Sequence, residues 1–301
     1  MYLTGFADEA GAQLDVQIQV TRALGWRHIE MRMVEIAGFP SGQLHDIPAP
    51  AFDRVADQLD AAGIQVNCFG SAIANWARQI EDPFEQTLEE VRRTIPRMQR
   101  LRTKLVRIMS YAVREAADQM EAERFRRLRE ITRMFADAGI CAVHENCMNY
   151  GGLGWPFTLK MLENVPGLKL VFDTGNPVFN ADRARPQPYP RQSSWEFYSH
   201  VREHIAYIHI KDGSWDAQQG KMIYSYPGEG QGDVRRILRD LLSRGYDGGI
   251  SIEPHLAAVF HDPTAAHSSE APAIYEEYGR RLMAMLAELR AELLKPPPMD
   301  D

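Results

Sequence analysis

Eight short runs rich in β-branched and aromatic residues recur along this chain, and a longer helical pattern separates each from the next. The runs are 2–7 (YLTGFA), 28–32 (HIEMR), 63–71, 104–110, 140–146, 168–176, 206–212 and 248–254. Helices are expected at about 12–25, 50–62, 83–102, 120–138, 156–164, 193–204, 233–244 and 271–294. Asp82 reads as a helix cap with Pro83 at the first helical position, and Asp233 as a second cap. Glycine closes several helices before the next strand, as in AAGI and DAGI. Strand–helix alternation of this kind calls for parallel strands joined by helical crossovers. An open doubly wound sheet gathers only the strand ends near its crevice. Acidic, basic or histidine residues stand at the C-terminal end of nearly every run here, and a closed (β/α)8 barrel brings all eight ends to one mouth. The expectation is therefore a TIM barrel.

No linker or shift in composition divides the 301 residues, so 1–294 is expected to be one domain. The tail 295–301 (KPPPMDD) is expected to be disordered. The Pro- and Arg-rich stretch 177–194 is long for a connection and reads as a lid or a surface loop. A formal charge of −7 counts against nucleic acid as a partner, because a phosphate backbone calls for a basic surface. Cys68, Cys141 and Cys147 are odd in number and lack CxxC spacing, which suggests small buried thiols in a reducing compartment. The first residues lack a basic start, and no run of about 18 apolar residues occurs. A cytoplasmic protein with no membrane partner is expected.

The chemistry gathers at the later strand ends. The fifth run ends in HEN with Glu145, the sixth in FDTGN with Asp173, the seventh in HIKD with His209 and the eighth in EPH with Glu253. Singly, His209 reads as a core histidine and Asp173 as a turn former. Together, on consecutive strands, two Glu, one Asp and one His make an oxygen-rich ligand set with a single imidazole. That set suits a divalent metal, Mn²⁺ foremost, with Mg²⁺, Co²⁺ or Zn²⁺ also compatible. No GxGxxG follows a strand, so no organic cofactor is expected.

Side chains two apart on a strand share a face. Lys211 and His255 therefore point with His209 and Glu253, and Glu30 and Arg107 also point inward. All four are candidate substrate contacts: Glu30 and Arg107 to sugar hydroxyls, Lys211 to a hydroxyl or a developing enolate, and His255 as an extra acid or base or as a support for a ligand. For Lys211 the competing reading is a salt bridge to Asp212 or Glu229, and for Glu30 and Arg107 it is mutual pairing. His144 has the opposite parity and is expected to pack or to support a ligand. Trp76, Trp155 and Trp215 lie beyond strands three, five and seven, where aromatic walls suit sugar faces. GEGQGD (228–233) opens a helix and offers a weak phosphate cradle.

Taken together, FADEAG, HIEMR, HEN, FDTGN, HIKD, GEGQG and GYDGGISIEPHL resemble the xylose-isomerase-like TIM-barrel superfamily of sugar phosphate isomerases and epimerases, over nearly the whole chain. The resemblance implies that Glu145, Asp173, His209 and Glu253 are metal ligands and that Glu145 and Glu253 shuttle protons on either face of a ketose. Ketose 3-epimerases of this group carry an arginine where Trp215 stands, a second glutamate where Gly151 stands, and a histidine where Asn176 stands. Trp215 and Asn176 join the candidate substrate contacts on that ground. The implied activity is a metal-dependent sugar isomerase or epimerase. The alternative is a lyase or dehydratase on a keto-sugar, 3-keto-glycoside cleavage included, which in some relatives needs a small partner subunit. A homo-oligomer is also implied.

Overall fold

Parallel strands β1 (Tyr2–Gly5), β2 (His28–Met31), β3 (Gln65–Phe69), β4 (Leu105–Ile108), β5 (Cys141–Glu145), β6 (Lys169–Asp173), β7 (Ile205–Ile210) and β8 (Gly249–Ile252) share one sheet. Its spatial order is β1-β8-β7-β6-β5-β4-β3-β2, which is sequence order read around a ring. A parallel bridge between Phe6 and Glu30 joins β1 to β2 and closes the barrel. The computed structural model of the chain describes residues 1–257 and 269–294. The protein is a single-domain (β/α)8 barrel, as the alternation of runs requires. The expected disordered tail, 295–301, lies outside the described residues.

Helices α1 (Leu14–Ala23), α2 (Ala49–Ala62), α3 (Phe84–Arg100), α4 (Glu121–Asp137), α5 (Trp155–Asn164), α6 (Ser194–Val201), α7 (Val234–Ser243) and α8 (Ala271–Leu293) fill the crossovers. Each lays an apolar stripe on the sheet. In α7, for example, Val234, Ile237, Leu238 and Leu241 are buried, the i, i+3, i+4, i+7 spacing of one helical face. Between sheet and helices lies the main apolar core. Inside the barrel a smaller cluster of Cys68, Val143, Val171 and Tyr207 packs the centre. Gly63 ends α2 at φ +67, a left-handed position that costs glycine nothing.

Two caps differ from expectation. Pro83 occupies the cap position of α3, and the Asp82 carboxylate turns back to accept the Gln79 amide at 2.8 Å. Asp233 sits at φ +51 and makes no side-chain cap bond. Two antiparallel excursions were not legible from the runs: Met33–Val34 with Gly42–Gln43, and Asp212–Asp216 with Lys221–Ser225. Both leave C-terminal strand ends and rise beside the mouth. The 177–194 connection begins in a single helical turn, Asn176–Phe179, and is pinned by a bridge between Ala181 and Arg191. Among the described residues no helix is long and apolar enough to cross a membrane.

Candidate metal centre and active site

Strand parity delivers Glu145, Asp173, His209 and Glu253 to one point. Each offers a ligand atom within 4.8 Å of the others, and all four residues are buried. His209 is oriented from below. Its Nε2 lies 3.1 Å from Glu30 Oε2, which also accepts from Tyr207 Oη (2.8 Å) and Ser251 Oγ (2.6 Å). That anchoring turns Nδ1 towards the centre, 3.7 Å from Glu145 Oε1 and 3.9 Å from Glu253 Oε2, without a hydrogen-bond partner. Asp173 is divided in the same way. Its Oδ1 accepts the Gly175 and Asn176 amides, whereas Oδ2 accepts no hydrogen bond. Lys211 Nζ approaches that Oδ2 at 2.9 Å as a charge contact outside hydrogen-bond geometry. Buried polar atoms rarely stay unpaired. His209 Nδ1, outside any hydrogen bond, and Asp173 Oδ2, met only by the Lys211 charge, face the same point as Glu145 and Glu253, and the cluster could hold a metal ion in place of the proton and the ammonium.

The balance of charge agrees. Asp8, Glu9, Glu30, Glu145, Asp173 and Glu253 supply six buried carboxylates, against three strong cations in Arg32, Arg107 and Lys211. Burial works against the charged form of His209, but Glu30 and Glu145 outweigh it and push its pKa up to about 10. Burial would raise Glu145, yet the Arg107 guanidinium at 3.0 Å holds it low. Burial prevails at Asp173, which is raised despite Lys211, with Glu253 and Glu145 adding repulsion. Glu253 is held well below the usual carboxylate range against the effect of burial, first by Lys211 and then by His255, His209 and Arg32.

Above the four ligands opens a cavity of about 180 Å³. Of the expected substrate contacts, Arg107, Asn176, Lys211 and His255 line it. Asn176 Nδ2 donates to Glu145 Oε1 at 3.2 Å. Lys211 pairs with Asp173 and Glu253, each at 2.9 Å, in place of the expected Asp212 or Glu229. His255 is held at φ +53, a strained position for a side chain of its size. Glu9 fixes it there, accepting the His255 backbone amide at 2.7 Å and lying 2.8 Å from Nδ1.

Several expectations are corrected. Glu30 does not reach the cavity; it is fully buried beneath His209 and positions that ring. Trp215 does not line the cavity either, because it lies in the Asp212–Asp216 strand with the Arg191 guanidinium stacked at 3.6 Å. Trp155 stacks on His200, and only Trp76 of the three tryptophans faces the cavity. His144 packs outward, bonded to Ser110 and Asn149. A side chain at Gly151 would meet the His144 ring at 2.3 Å, so the glutamate found there in ketose 3-epimerases has no room.

The glycine loop binds no phosphate through its amides, because Asp212 already occupies them. Its carboxylate accepts from Gly213 and Gly232 on Oδ1 and from Gly228 and Gly230 on Oδ2, at 2.8 to 3.1 Å. This contact ties the 212–225 excursion to the entry of α7. It also places Tyr224, whose ring meets His255 edge-on at 5.1 Å. Asp212→Ala is expected to cost about 3 kcal/mol, read by urea denaturation, because four amides, those of Gly213 and Gly232 buried, lose one charged acceptor. Unchanged stability would mean that the loop holds itself.

Arg32, Asp8 and Glu9 escaped the sequence reading. Arg32 lines the cavity, grips Asp8 through Nε (2.9 Å) and Nη2 (3.2 Å), and donates from Nη1 to Glu253 Oε1 at 3.1 Å. Parity carried the signal, since Arg32 is two residues beyond the inward Glu30.

A barrel whose strand ends converge on one oxygen-rich, histidine-bearing centre defines a recognisable class. Residues 18–277 match the profile of the xylose isomerase-like TIM barrel. The chain belongs to that family. Its sequence matches no curated protein. Among solved structures it is similar to a xylose isomerase-like TIM barrel protein from Mycobacterium smegmatis in complex with magnesium, at 16% identity and TM-score 0.67, over 96% of this chain and 97% of that one. It is also similar to the probable 3-DHS dehydratase AsbF of Bacillus anthracis, at 16% identity and TM-score 0.67, over 94% and 99%. A third likeness is to D-psicose 3-epimerase from Clostridium cellulolyticum H10, at 13% identity and TM-score 0.65, over 96% and 99%. Identities this low carry the fold and leave the reaction to be argued from the site.

Proposed function

We propose that this protein is a divalent-metal-dependent isomerase or epimerase acting next to the carbonyl of a ketose or keto-sugar derivative. The reading rests on the convergence of the four buried side chains Glu145, Asp173, His209 and Glu253, whose ligand atoms lie within 4.8 Å of one another. Glu145, Asp173, His209 and Glu253 would hold the metal, Mn²⁺ or another hard to borderline ion. Its chemistry there is to polarise a carbonyl and the neighbouring hydroxyl, which acidifies the carbon between them.

The chain does the rest. Glu145 and Glu253 come from β5 and β8, three steps apart around the barrel, and so address a substrate from two sides. One carboxylate takes the proton from the carbon, and the C–H electron pair becomes the double bond of an enediolate. The other, which must first take up a proton from solvent, gives that proton to the opposite face, so that the two carboxylates end with protonation states exchanged and an epimer results; return of the abstracted proton to the neighbouring carbon gives an isomer. Arg107 and Lys211 hold Glu145 and Glu253 ionised, ready to act as bases, and Asn176 fixes the Glu145 rotamer. Expulsion of a neighbouring substituent from the same enediolate would make the enzyme a lyase.

Incubation with Mn²⁺ in D₂O, over a panel of ketoses, inososes and 3-keto-glycosides, tests the reading by mass spectrometry. Deuterium gained without fragmentation is expected, and the gain should vanish after chelation. Loss of water or release of an aglycone would assign the lyase outcome instead. Exchange that persists in metal-free protein would remove the metal from the mechanism. Mn²⁺ at 100 times its Kd should also stabilise the fold by about 2.7 kcal/mol.

A further inference from the structure

A second cavity of about 210 Å³ adjoins the first and shares Cys147 and Met148 with it. A cavity of about 180 Å³ over the metal ligands has room for one sugar ring, so a larger substrate must extend past its wall. The shared residues follow β5 directly, two and three positions beyond Glu145. The second cavity differs in chemistry from the charged centre. Val113 and Leu153 supply apolar surface, and the Asn149, Asn180 and Arg183 side chains supply its polar lining. Among the described residues no carboxylate lies within 4.0 Å of the Arg183 guanidinium, whose side chain rests 5.8 Å from the Tyr189 ring centroid. Elsewhere around the mouth the arginines are committed: Arg32 to Asp8, Glu9 and Glu253, Arg107 to Glu145, and Arg185 to Glu196.

An apolar wall beside a guanidinium with no carboxylate near it fits a ligand group with a flat apolar body and an anionic acceptor at its far end. We infer that this cavity is a subsite for an apolar substituent bearing a carboxylate, phenolate or similar acceptor, carried by the keto-sugar whose ring sits over Glu145 and Glu253. The inference rests on the proposed proton-transfer reading and names the substrate class: a substituted keto-sugar rather than a free ketose. Met148 stands between ring and substituent, and its unbranched thioether can shift to pass a linking atom. Arg183 then selects the far end.

The test is calorimetric titration of the Mn²⁺-loaded protein with methyl, phenyl and 4-carboxyphenyl β-D-glucopyranoside. The phenyl compound should bind about tenfold tighter than the methyl one, and the carboxyphenyl compound about tenfold tighter again. Arg183→Ala should remove the carboxylate gain and keep the phenyl gain. Arg183 is half-buried on a loop, so its loss spares the core. Equal binding of methyl and phenyl compounds, no binding of any of the three, or a carboxylate gain that survives Arg183→Ala would each overturn the subsite. The underlying reading fails separately. Deuterium exchange into unsubstituted keto-sugars alongside equal glycoside binding would sink only the subsite. A clear phenyl preference with no exchange into any keto-sugar would sink the proton-transfer reading and leave the subsite standing.

Discussion

Glu253→Gln is expected to lower proton exchange by about 10³-fold, the scale of a lost general base at a polarised carbon. The fold should survive. Glu253 Oε1 accepts from Arg32 and Oε2 from Lys211, and a glutamine keeps one oxygen for either donor. Arg32 remains gripped by Asp8 through two bonds, so the wall does not collapse. The glutamine also withdraws one of six carboxylates from a crowded centre, which relieves repulsion as it removes attraction. A melting temperature within a few degrees of wild type, together with lost exchange at saturating Mn²⁺, is the expected pair of results. Wild-type exchange in the variant would falsify the assignment of Glu253. The same substitution at Glu145 should behave alike, but with a larger stability penalty, because among the described residues Glu145 is the only carboxylate bonded to the buried Arg107.

The barrel was legible because its two periodicities do not mix. Strands of four to six residues ended by chemistry, alternating with amphipathic helices, admit few other topologies. Strand parity then carried the centre, since Glu145, Asp173, His209 and Glu253 each sit on the inward phase. The same rule misled at Glu30, for parity gives direction and not depth. Glu30 lies two residues below Arg32 on β2, so it points into the floor while Arg32 reaches the cavity. Trp215 was misplaced because the 212–225 excursion is itself a hairpin, in which Trp215 stacks with Arg191 while Tyr224 of the other strand meets His255. That hairpin has no strong run of β-formers. It exists because Asp212 collects four amides contributed by residues up to 20 positions away, a long-range contact that no local pattern displays. The glycines in GEGQG were read for a ligand and serve that carboxylate. A side chain at Gly230 would meet Asp212 Oδ1 at 2.3 Å, so close approach explains glycine there. Arg107 and Lys211 were read correctly as inward, and pairing was foreseen as an alternative but with other partners: Arg107 takes Glu145 and Lys211 takes Asp173 and Glu253, all from adjacent strands.

Lys211→Met is expected to separate the stability of the centre from its metal affinity. Lys211 is buried, and its ammonium lies 2.9 Å from both Asp173 and Glu253. Its stem is pinned, since a Cβ at Gly175 would meet Lys211 Cγ at 2.7 Å, so the ammonium has little freedom to leave. Methionine fills similar space without charge and strands two buried carboxylates, which should cost the metal-free protein about 3 kcal/mol. A divalent cation competes with the ammonium for those same carboxylates. Removing the competitor should therefore tighten Mn²⁺ binding, by about tenfold if the like-charge repulsion relieved is near 1.4 kcal/mol. The result to look for is a melting temperature that is lower than wild type without metal and rises further on adding Mn²⁺. Turnover should nevertheless fall, because Glu253 loses the ammonium that favours its ionised, basic form. An equal Mn²⁺ increment in both proteins would mean that Lys211 and the metal do not contend for one site, and the ligand set would then have to exclude either Asp173 or Glu253.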